Sequence, residues 1–258
     1  MRSASGDDSF SGATAAMQRL AVLAVLLLTW HFASGTLLPA FYISNPLSVA
    51  QVIVRWVADG SIWLHIGSTV MTLFLGYTLG AALGVAAGLA LGLSPRLEQV
   101  LAPFIAAVYG LPKVALLPLF VIAFGIGLLS KVMLVASVVI FLLFYATLSG
   151  VRDIDRDMID GLRLMGAQED EITWKLRLPA ILPWIYTGLR TSIGYALTTT
   201  VVSEALSSNR GLGYLIEHAA AQFNAAGVFA AVVVLLVVSS VIMIPLGALE
   251  ARRGTRRG

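Results

Sequence analysis

Long apolar stretches alternate with short polar stretches along this chain. Asp, Glu, Lys and Arg are absent from four stretches, at 20–54, 60–95, 132–151 and 218–249. A helix needs about 20 predominantly apolar residues to cross the hydrocarbon core of a bilayer, so each stretch has room for at least one span. We predict six spans in all, at about 20–36, 63–92, 100–125, 129–150, 184–205 and 226–249.

The composition supports a membrane protein. The chain is 58% hydrophobic and 12% charged, and its mean hydropathy is +0.89, whereas an average soluble domain carries about 25% charged residues. This hydrophobicity excludes a disordered chain, and the long apolar runs do not fit the short alternating segments of a transmembrane β-barrel. We therefore expect an all-α, polytopic membrane protein with about six transmembrane helices within residues 20–250.

Two stretches differ from a simple span. Stretch 60–95 is too long for one upright helix at 1.5 Å per residue, so we expect it to tilt or to begin outside the hydrocarbon. Segment 46–59 is shorter and has polar flanks, which predicts an amphipathic helix at the membrane surface.

Glycine recurs every four residues in the second predicted span. The series is Gly76, Gly80, Gly84, Gly88 and Gly92. Such spacing is typical of a helix face at which backbones approach closely. The pattern leaves open whether this face meets a neighbouring span or a second subunit.

Prolines interrupt the third predicted span. Pro103, Gly110, Pro112 and Pro118 lie within it, and each interior proline removes a helix hydrogen bond. Broken helices in transporters often lie near the substrate path. Lys113 lies beside the interruption and is a candidate for attracting an anionic substrate. Alternatively, its side chain snorkels towards the interface or pairs within the fold.

Further candidates for a translocation path are polar or aromatic residues of the third and fifth spans. They are Tyr109, Phe120, Tyr195, Thr199 and Glu204. For Glu204, at the end of the fifth span, three roles are open: gating the path, pairing across a subunit interface, or a structural hydrogen bond to the backbone.

The distribution of Lys and Arg predicts the orientation. With both termini in the cytoplasm, 13 of the 17 basic residues lie on the cytoplasmic side. We therefore expect residues 1–19 to be a flexible cytoplasmic N-terminus and residues 251–258 to be a basic cytoplasmic tail.

Charge is concentrated in one segment, because residues 152–177 hold 12 of the 31 charged residues. Both signs are interspersed, which does not fit a lipid-binding polybasic patch; a tethering loop with a solvated face is the simplest alternative. Apolar positions on both sides of Gly166 predict two short helices around a glycine turn. The acidic run 169–171 suits the first turn of the second helix, and Pro179 and Pro183 predict its end.

This segment resembles the cytoplasmic motif E-A-A-x3-G-x9-I-x-L-P of inner-membrane permeases of binding-protein-dependent ABC importers. The motif positions are occupied by Asp160, Gly161, Leu162, Gly166, Leu176, Leu178 and Pro179, and Ala167 follows the glycine. The spacing matches throughout, and the glycine and the final Leu-Pro are identical, whereas the first three positions and the Ile position differ. The resemblance covers residues 43–250 and is strongest to the permeases of taurine, aliphatic sulfonate, nitrate and thiamine-precursor importers.

The resemblance implies a type I ABC importer permease fold, in which segment 152–183 is a coupling hairpin that docks on an ATPase subunit. It implies a complex at the cell inner membrane with two ATPase copies, a second permease copy and an extracytoplasmic solute-binding protein. The second permease copy would form a homodimer, and a heterologous permease is the alternative. Arg210 is the candidate contact with that binding protein. The chain has no Walker A motif, so we expect the partner ATPase to use ATP and Mg. We expect no cofactor on this chain and no nucleic-acid partner.

Two alternatives come from other classes. An ion-coupled secondary transporter would carry several acids or histidines in its spans, and only Lys113, Glu204 and His65 are near such positions. A membrane-embedded enzyme would need clustered catalytic or metal-ligating residues. We expect no catalytic or metal site, because the chain has no cysteine and its three histidines are far apart. The expected substrate is a small solute, sulfonate-like or nitrate-like, with bicarbonate and small heterocycles as further options.

Overall fold

The computed structural model describes residues 12–37 and 39–254, and every regular element in these ranges is a helix. The helices are α1 (Gly12–Thr36), α2 (Ala40–Ile43), α3 (Pro46–Ala58), α4 (Ser61–Gly92), α5 (Pro95–Tyr109), α6 (Leu117–Phe124), α7 (Leu128–Arg152), α8 (Arg156–Leu164), α9 (Glu169–Ile172), α10 (Leu178–Ser207), α11 (Leu212–Ala221) and α12 (Ala225–Gly254). A 3₁₀ turn (Lys113–Leu116) precedes α6, and a π-helical turn (Thr173–Arg177) joins α9 to α10. The prediction of an all-α fold is confirmed.

Four helical segments are long and apolar enough to cross a membrane, and they correspond to the first, second, fourth and sixth predicted spans. They are Met17–Thr36, Ser61–Gly92, Leu128–Arg152 and Ala225–Met243. A fifth candidate consists of α5 and the segment Lys113–Phe124, which meet at an angle of 82°. The predicted interruption of the third span is therefore confirmed.

The fifth predicted span, 184–205, lies within α10, which is long enough but less apolar than the others. Its 30 residues span about 45 Å, but α10 is not among the helices that are apolar enough in composition to cross a membrane. By length and composition alone, the described residues thus contain four such spans, or five with the bent pair, and α10 is not among them.

The polar character of α10 follows from its packing against α7, α4 and α11. Its buried polar residues are Ser192, Thr199, Thr200, Ser203 and Glu204. The Thr200 hydroxyl, for example, donates to the carbonyl of Ala196, one turn earlier, at 2.8 Å. Protein rather than lipid covers these groups, so their polarity is tolerated.

The glycine series of α4 packs against α7, which resolves the question left open by the sequence. A Cβ atom added to Gly76 would lie 2.6 Å from Cβ of Val135, and one added to Gly84 would lie 2.5 Å from the carbonyl oxygen of Ile140. The partner is therefore a neighbouring helix of the same chain. Around this contact lies the main apolar core, which comprises Leu73, Val135, Val139, Leu143 and Ala196.

The helix predicted at 46–59 is present as α3. Pro46 begins it, and the Asn45 side chain accepts a hydrogen bond from the backbone nitrogen of Ser48 at 2.8 Å, as expected for an N-cap. Val49 and Val52 pack against Ala230 of α12. Part of the apolar side of α3 is therefore covered by protein.

The N-terminal boundary differs from the prediction. Helix α1 begins at Gly12, inside the segment 1–19 that was expected to be flexible, because the small residues of its first turns include alanines, which favour helix. Residues 1–11 lie outside the described residues. In the predicted tail 251–258, α12 continues to Gly254, and residues 255–258 lie outside the described residues.

The bundle has two distinct ends. At one end, α7 finishes beside the start of α5 and is followed by the short helices α8 and α9, so we call it the hairpin end. There Arg152 Nε donates to Glu98 Oε1 at 2.8 Å. At the other, the opposite end, α7 begins beside the end of α10, and Lys131 Nζ donates to Ser208 Oγ at 2.9 Å.

Candidate functional site

The hairpin end carries the helical hairpin that the sequence predicts. Helix α8 ends in a Schellman motif, in which the backbone nitrogen of Gly166 donates to the carbonyl of Arg163 at 2.9 Å and that of Ala167 donates to the carbonyl of Leu162 at 3.0 Å. Gly166 has φ +89°, a left-handed conformation that favours glycine. The geometry thus explains the glycine at this motif position.

Charged side chains connect the two arms of the hairpin. Glu169 accepts hydrogen bonds from Arg163 at 2.6 Å and from Arg177 at 3.2 Å, and Arg163 also pairs with Asp160 at 2.9 Å. The Arg163 guanidinium holds the pKa of Glu169 below its usual range, so this carboxylate is ionised at neutral pH. Single exposed ion pairs contribute little, but Glu169 links α8 to the π-helical turn.

The predicted proline stop is wrong. The helix continues from α9 through the π-helical turn into α10, with Pro179 in the first turn of α10 and Pro183 in its interior. The backbone nitrogen of Leu178 donates to the carbonyl of Thr173, five residues back. This wider spacing directly precedes Pro179 and relieves the clash that its ring would make in regular α geometry. The second arm of the hairpin is therefore the beginning of α10.

Large apolar side chains project from the hairpin. Leu164 is 91% exposed, Met165 78% and Trp174 72%, whereas the motif residues Leu176 and Leu178 are half-buried. The motif alone did not single out the first three. An apolar surface with a charged rim is typical of a protein interface.

Lys113 lies at the bend between α5 and α6, and its ammonium group is bound by the backbone. Its Nζ donates to the carbonyls of Val108, Tyr109 and Leu111 at 2.8, 2.7 and 2.9 Å. It also lies 4.6 Å from the centre of the Phe141 ring. All three donors of the ammonium group are occupied, so this geometry corresponds to the second role considered above, pairing within the fold.

Glu204 belongs to a buried polar cluster at the opposite end. Its Oε2 accepts hydrogen bonds from Thr69 Oγ1 at 2.8 Å and from the backbone nitrogen of Gly213 at 3.1 Å, and Thr69 Oγ1 accepts from the backbone nitrogen of Leu212 at 2.9 Å. His65 Nδ1 accepts from the backbone nitrogen of Gly211 at 3.1 Å. The cluster joins α4, α10 and α11, which matches the structural hydrogen bond among the three roles.

The remaining path candidates are dispersed. Tyr109 packs against Tyr145 with ring centres 4.8 Å apart, and Phe120 stacks on Phe124. Thr199 is buried and donates to the carbonyl of Tyr195, which is 56% exposed. The six candidates therefore do not converge on one site: Lys113 and Tyr109 meet at the bend, and Glu204 is at the opposite end.

Arg210 lies in the exposed loop that joins α10 to α11. The Ser208 hydroxyl shapes this loop by accepting from the backbone nitrogen of Arg210 at 3.2 Å and donating to its carbonyl at 2.7 Å. In the part of the chain that the structure describes, the Arg210 side chain forms no ion pair.

Comparison with known proteins assigns a family to this architecture. Residues 76–255 match the family described as "Binding-protein-dependent transport system inner membrane component". The chain is 36% identical to the riboflavin transport system permease protein RibX of Chloroflexus aurantiacus, over 90% of this chain and 87% of that protein. It is 29% identical to the taurine transport system permease protein TauC of Escherichia coli, with the same coverage. It is 30% identical to the putative aliphatic sulfonates transport permease protein SsuC of Bacillus subtilis, over 86% of this chain and 81% of that protein.

A solved structure has the same fold. A chain of the MetNI methionine ABC transporter, in an inward facing conformation, superposes with a TM-score of 0.63 at 16% sequence identity. The match covers 75% of this chain and 96% of that chain. It supports the type I ABC importer permease fold.

Proposed function

We propose a transport cycle for this chain, which belongs to the family of binding-protein-dependent transport system inner membrane components and is the permease subunit of an ABC importer. It is a multi-pass inner-membrane protein and a translocation component rather than an enzyme. In the proposed cycle, the chain acts as a homodimer with two ATPase subunits and one extracytoplasmic solute-binding protein. The ATPase subunits use ATP and Mg.

The observation that carries this proposal is the helical hairpin within segment 152–183. It has an exposed apolar surface at Leu164, Met165 and Trp174, and its second arm continues into α10 without a break. A partner bound to this surface would therefore act directly on a helix at the centre of the bundle. Rigid-body movement of this kind is a general means of transmitting a conformational change.

The proposed orientation places the hairpin end and both termini in the cytoplasm. The opposite end, with Arg210, then faces the binding protein. The path residues Lys113, Tyr109, Phe120, Tyr195, Thr199 and Glu204 remain proposals, and the bond pattern of Lys113 and Glu204 favours structural roles for these two.

The proposed substrate is a small anionic solute such as a sulfonate. Two of the similar proteins are named for taurine and aliphatic sulfonates. A neutral heterocycle is the second candidate, because another similar protein is named for riboflavin.

Co-purification with the candidate ATPase tests the coupling role. We expect the ATPase to bind the parent chain in mild detergent and to be lost with Gly166→Trp. A Cβ at Gly166 meets no atom within 4 Å, so the indole would project from the hairpin. At φ +89° any side chain also strains the turn, and both effects would oppose docking. The matched control is Gly60→Trp, since Gly60 has φ +77° and similar open space but lies at the opposite end.

The control should retain the ATPase. Equal binding by the parent and Gly166→Trp would show that docking occurs elsewhere. Absence of the ATPase from a well-folded parent would contradict the proposed cycle, and ATP-independent transport by the purified chain would favour the secondary-transporter alternative.

A further inference from the structure

A cavity of about 370 Å³ opens at the opposite end of the bundle, between the beginnings of α4 and α7 and the end of α10. Its polar lining consists of Ser68, Lys131, Ser207, Ser208, Asn209 and Arg210, and no acidic residue of the described chain lines it. We propose that this cavity binds the oxyanion group of the transported solute, with Lys131 and Arg210 as its cationic ligands. The inference rests on the proposed function and names a binding site for its substrate class.

Lys131 is the central element of the cavity. The residue is only 4% exposed, yet it contributes to the cavity lining. Its Nζ donates to Ser208 Oγ at 2.9 Å, and in the described part of the chain it forms no ion pair. An ammonium group has three donors, so two are available to a ligand. A buried charge that is incompletely hydrogen-bonded is costly, and an anion in the cavity would reduce that cost.

Glu204 does not line the cavity. It attracts the ammonium group of Lys131 electrostatically, but it is fully buried and accepts its hydrogen bonds from Thr69 and Gly213. Glu204 therefore does not occupy the donors of Lys131.

Arg210 lies on the solvent side of the same cavity. The Ser208 hydroxyl accepts a hydrogen bond from Lys131 and is also bonded to the backbone of Arg210. This serine therefore links Lys131 of α7 to the loop that carries Arg210. A guanidinium group forms paired hydrogen bonds with planar or tetrahedral oxyanions. The Ser207 and Ser208 hydroxyls donate to the carbonyls of Ser203 and Arg210, so the donors that face a ligand are one buried cation, one exposed cation and the Ser68 hydroxyl. This set suits a sulfonate or a similar group.

Of the two lysines considered for anion binding, Lys131 has the better geometry. The donors of Lys113 are all bound to backbone carbonyls, whereas those of Lys131 are not. The cavity lies at the end where, in the proposed orientation, a solute would arrive. Met71, Ile126 and Leu128 supply apolar walls for the organic part of a small solute.

An oxyanion could come from a free solute or from a phospholipid head group, and the experiment separates the two. The full-length chain is placed in phosphatidylcholine nanodiscs, and binding of 2,2,2-trifluoroethanesulfonate is followed by ¹⁹F NMR. The neutral comparison compound is trifluoroethyl methyl sulfone. In a second arm, native mass spectrometry records retained phospholipid, and phosphatidylglycerol is added as a competitor.

We expect the sulfonate to bind and the sulfone not to bind. Lys131→Met and Arg210→Gln should each weaken sulfonate binding by about tenfold, the effect of losing a hydrogen bond to a charged group. The matched control is Arg55→Gln, because Arg55 is an exposed cation of α3 outside the cavity, and it should bind like the parent. If Lys131→Met does not fold, Arg210→Gln and the sulfone comparison still decide the outcome.

Equal binding of sulfonate and sulfone, or no effect of either variant, would overturn the proposal. Phospholipid that is retained by the parent, lost in both variants, and not displaced by the sulfonate would also overturn it in favour of a lipid site. ATPase co-purification of the same variants is measured in parallel. If the parent binds the ATPase but not the sulfonate, only the proposed anion site in the cavity is refuted. If the parent does not bind the ATPase, the proposed function is refuted.

Discussion

Lys113 shows, at the scale of a single residue, how a charge is retained at a broken helix without a ligand. The last carbonyls of a helix lack intrahelical partners, and α5 ends at Tyr109, so the carbonyls of Val108 and Tyr109 in its last turn and of Leu111 just beyond it lie open to a donor from the bend. The ammonium group of Lys113 binds all three. The side chain therefore acts as a C-terminal cap for α5 and fixes the start of the bend.

Removing this cap should destabilise the bend without changing substrate preference. We expect Lys113→Met to lower the stability of the purified protein by roughly 1–3 kcal/mol and to increase hydrogen exchange around residues 108–117. Thermal unfolding in detergent and hydrogen-exchange mass spectrometry measure the two effects. Lys113→Arg, which keeps a cation with several donors, is the control and should recover part of the stability. Unchanged stability with loss of anion transport would instead support the anion-binding role.

The cluster around Glu204 shows what sequence reasoning about single residues misses. Glu204 was identified as a candidate, but its partner Thr69 is 135 positions away, and no local pattern connects them. In the structure, Gly211 and Gly213 mark this contact. A Cβ on either glycine would overlap atoms of α10, so the loop at Gly211 and the first turn of α11 at Gly213 accept only glycine where their backbone meets α10.

At the scale of elements, the contact between α4 and α7 depends on residues without side chains. All five glycines of the series have an α7 atom within 2.8 Å of an added Cβ. Such spacing leaves no room for a methyl group unless the helices separate. The glycine face therefore determines the distance between these two helices.

Gly84→Ala should consequently destabilise the protein by about 1–3 kcal/mol, the usual cost of overpacking. The matched control is Gly67→Ala in the same helix, where an added Cβ meets nothing within 4 Å. The control should be neutral or more stable by up to about 1 kcal/mol, because alanine favours helix over glycine. Thermal unfolding of both variants in the same detergent gives the comparison, and equal effects would refute the packing explanation.

Most elements were predictable because their signals are local. Charge-free runs located the spans, prolines located the break in the third, and Gly166 located the hairpin turn. The continuity of α9 and α10 was not predictable, because the π-helical turn at Thr173–Arg177 compensates for Pro179 in a way that residue preferences do not encode. The polarity of α10 likewise depends on its packing against α4 and α7, which the sequence leaves open.

At the scale of the whole molecule, the two ends differ in chemistry. The hairpin end presents exposed apolar side chains and paired charges on the same hairpin, and the opposite end presents a cavity lined by cations and hydroxyl groups. Helix α10 runs between them, from Leu178 beside the hairpin to Ser207 at the cavity. A movement of the hairpin would therefore be transmitted to the cavity wall through one continuous helix. This arrangement requires the two ends to lie on opposite sides of the membrane.

Cysteine labelling tests this requirement directly, because the chain has no cysteine of its own. Gln168→Cys places a thiol on the exposed hairpin, and Glu217→Cys places one on exposed α11 at the opposite end. In intact cells, we expect a membrane-impermeant maleimide to label position 217 only, since the basic residues favour the hairpin end inside. After permeabilisation both positions should react, which controls for the accessibility of Gln168→Cys. Labelling of position 168 alone in intact cells would show the reverse orientation, in which the hairpin could not reach a cytoplasmic ATPase. Labelling of both positions would refute the assignment of the two ends to opposite sides.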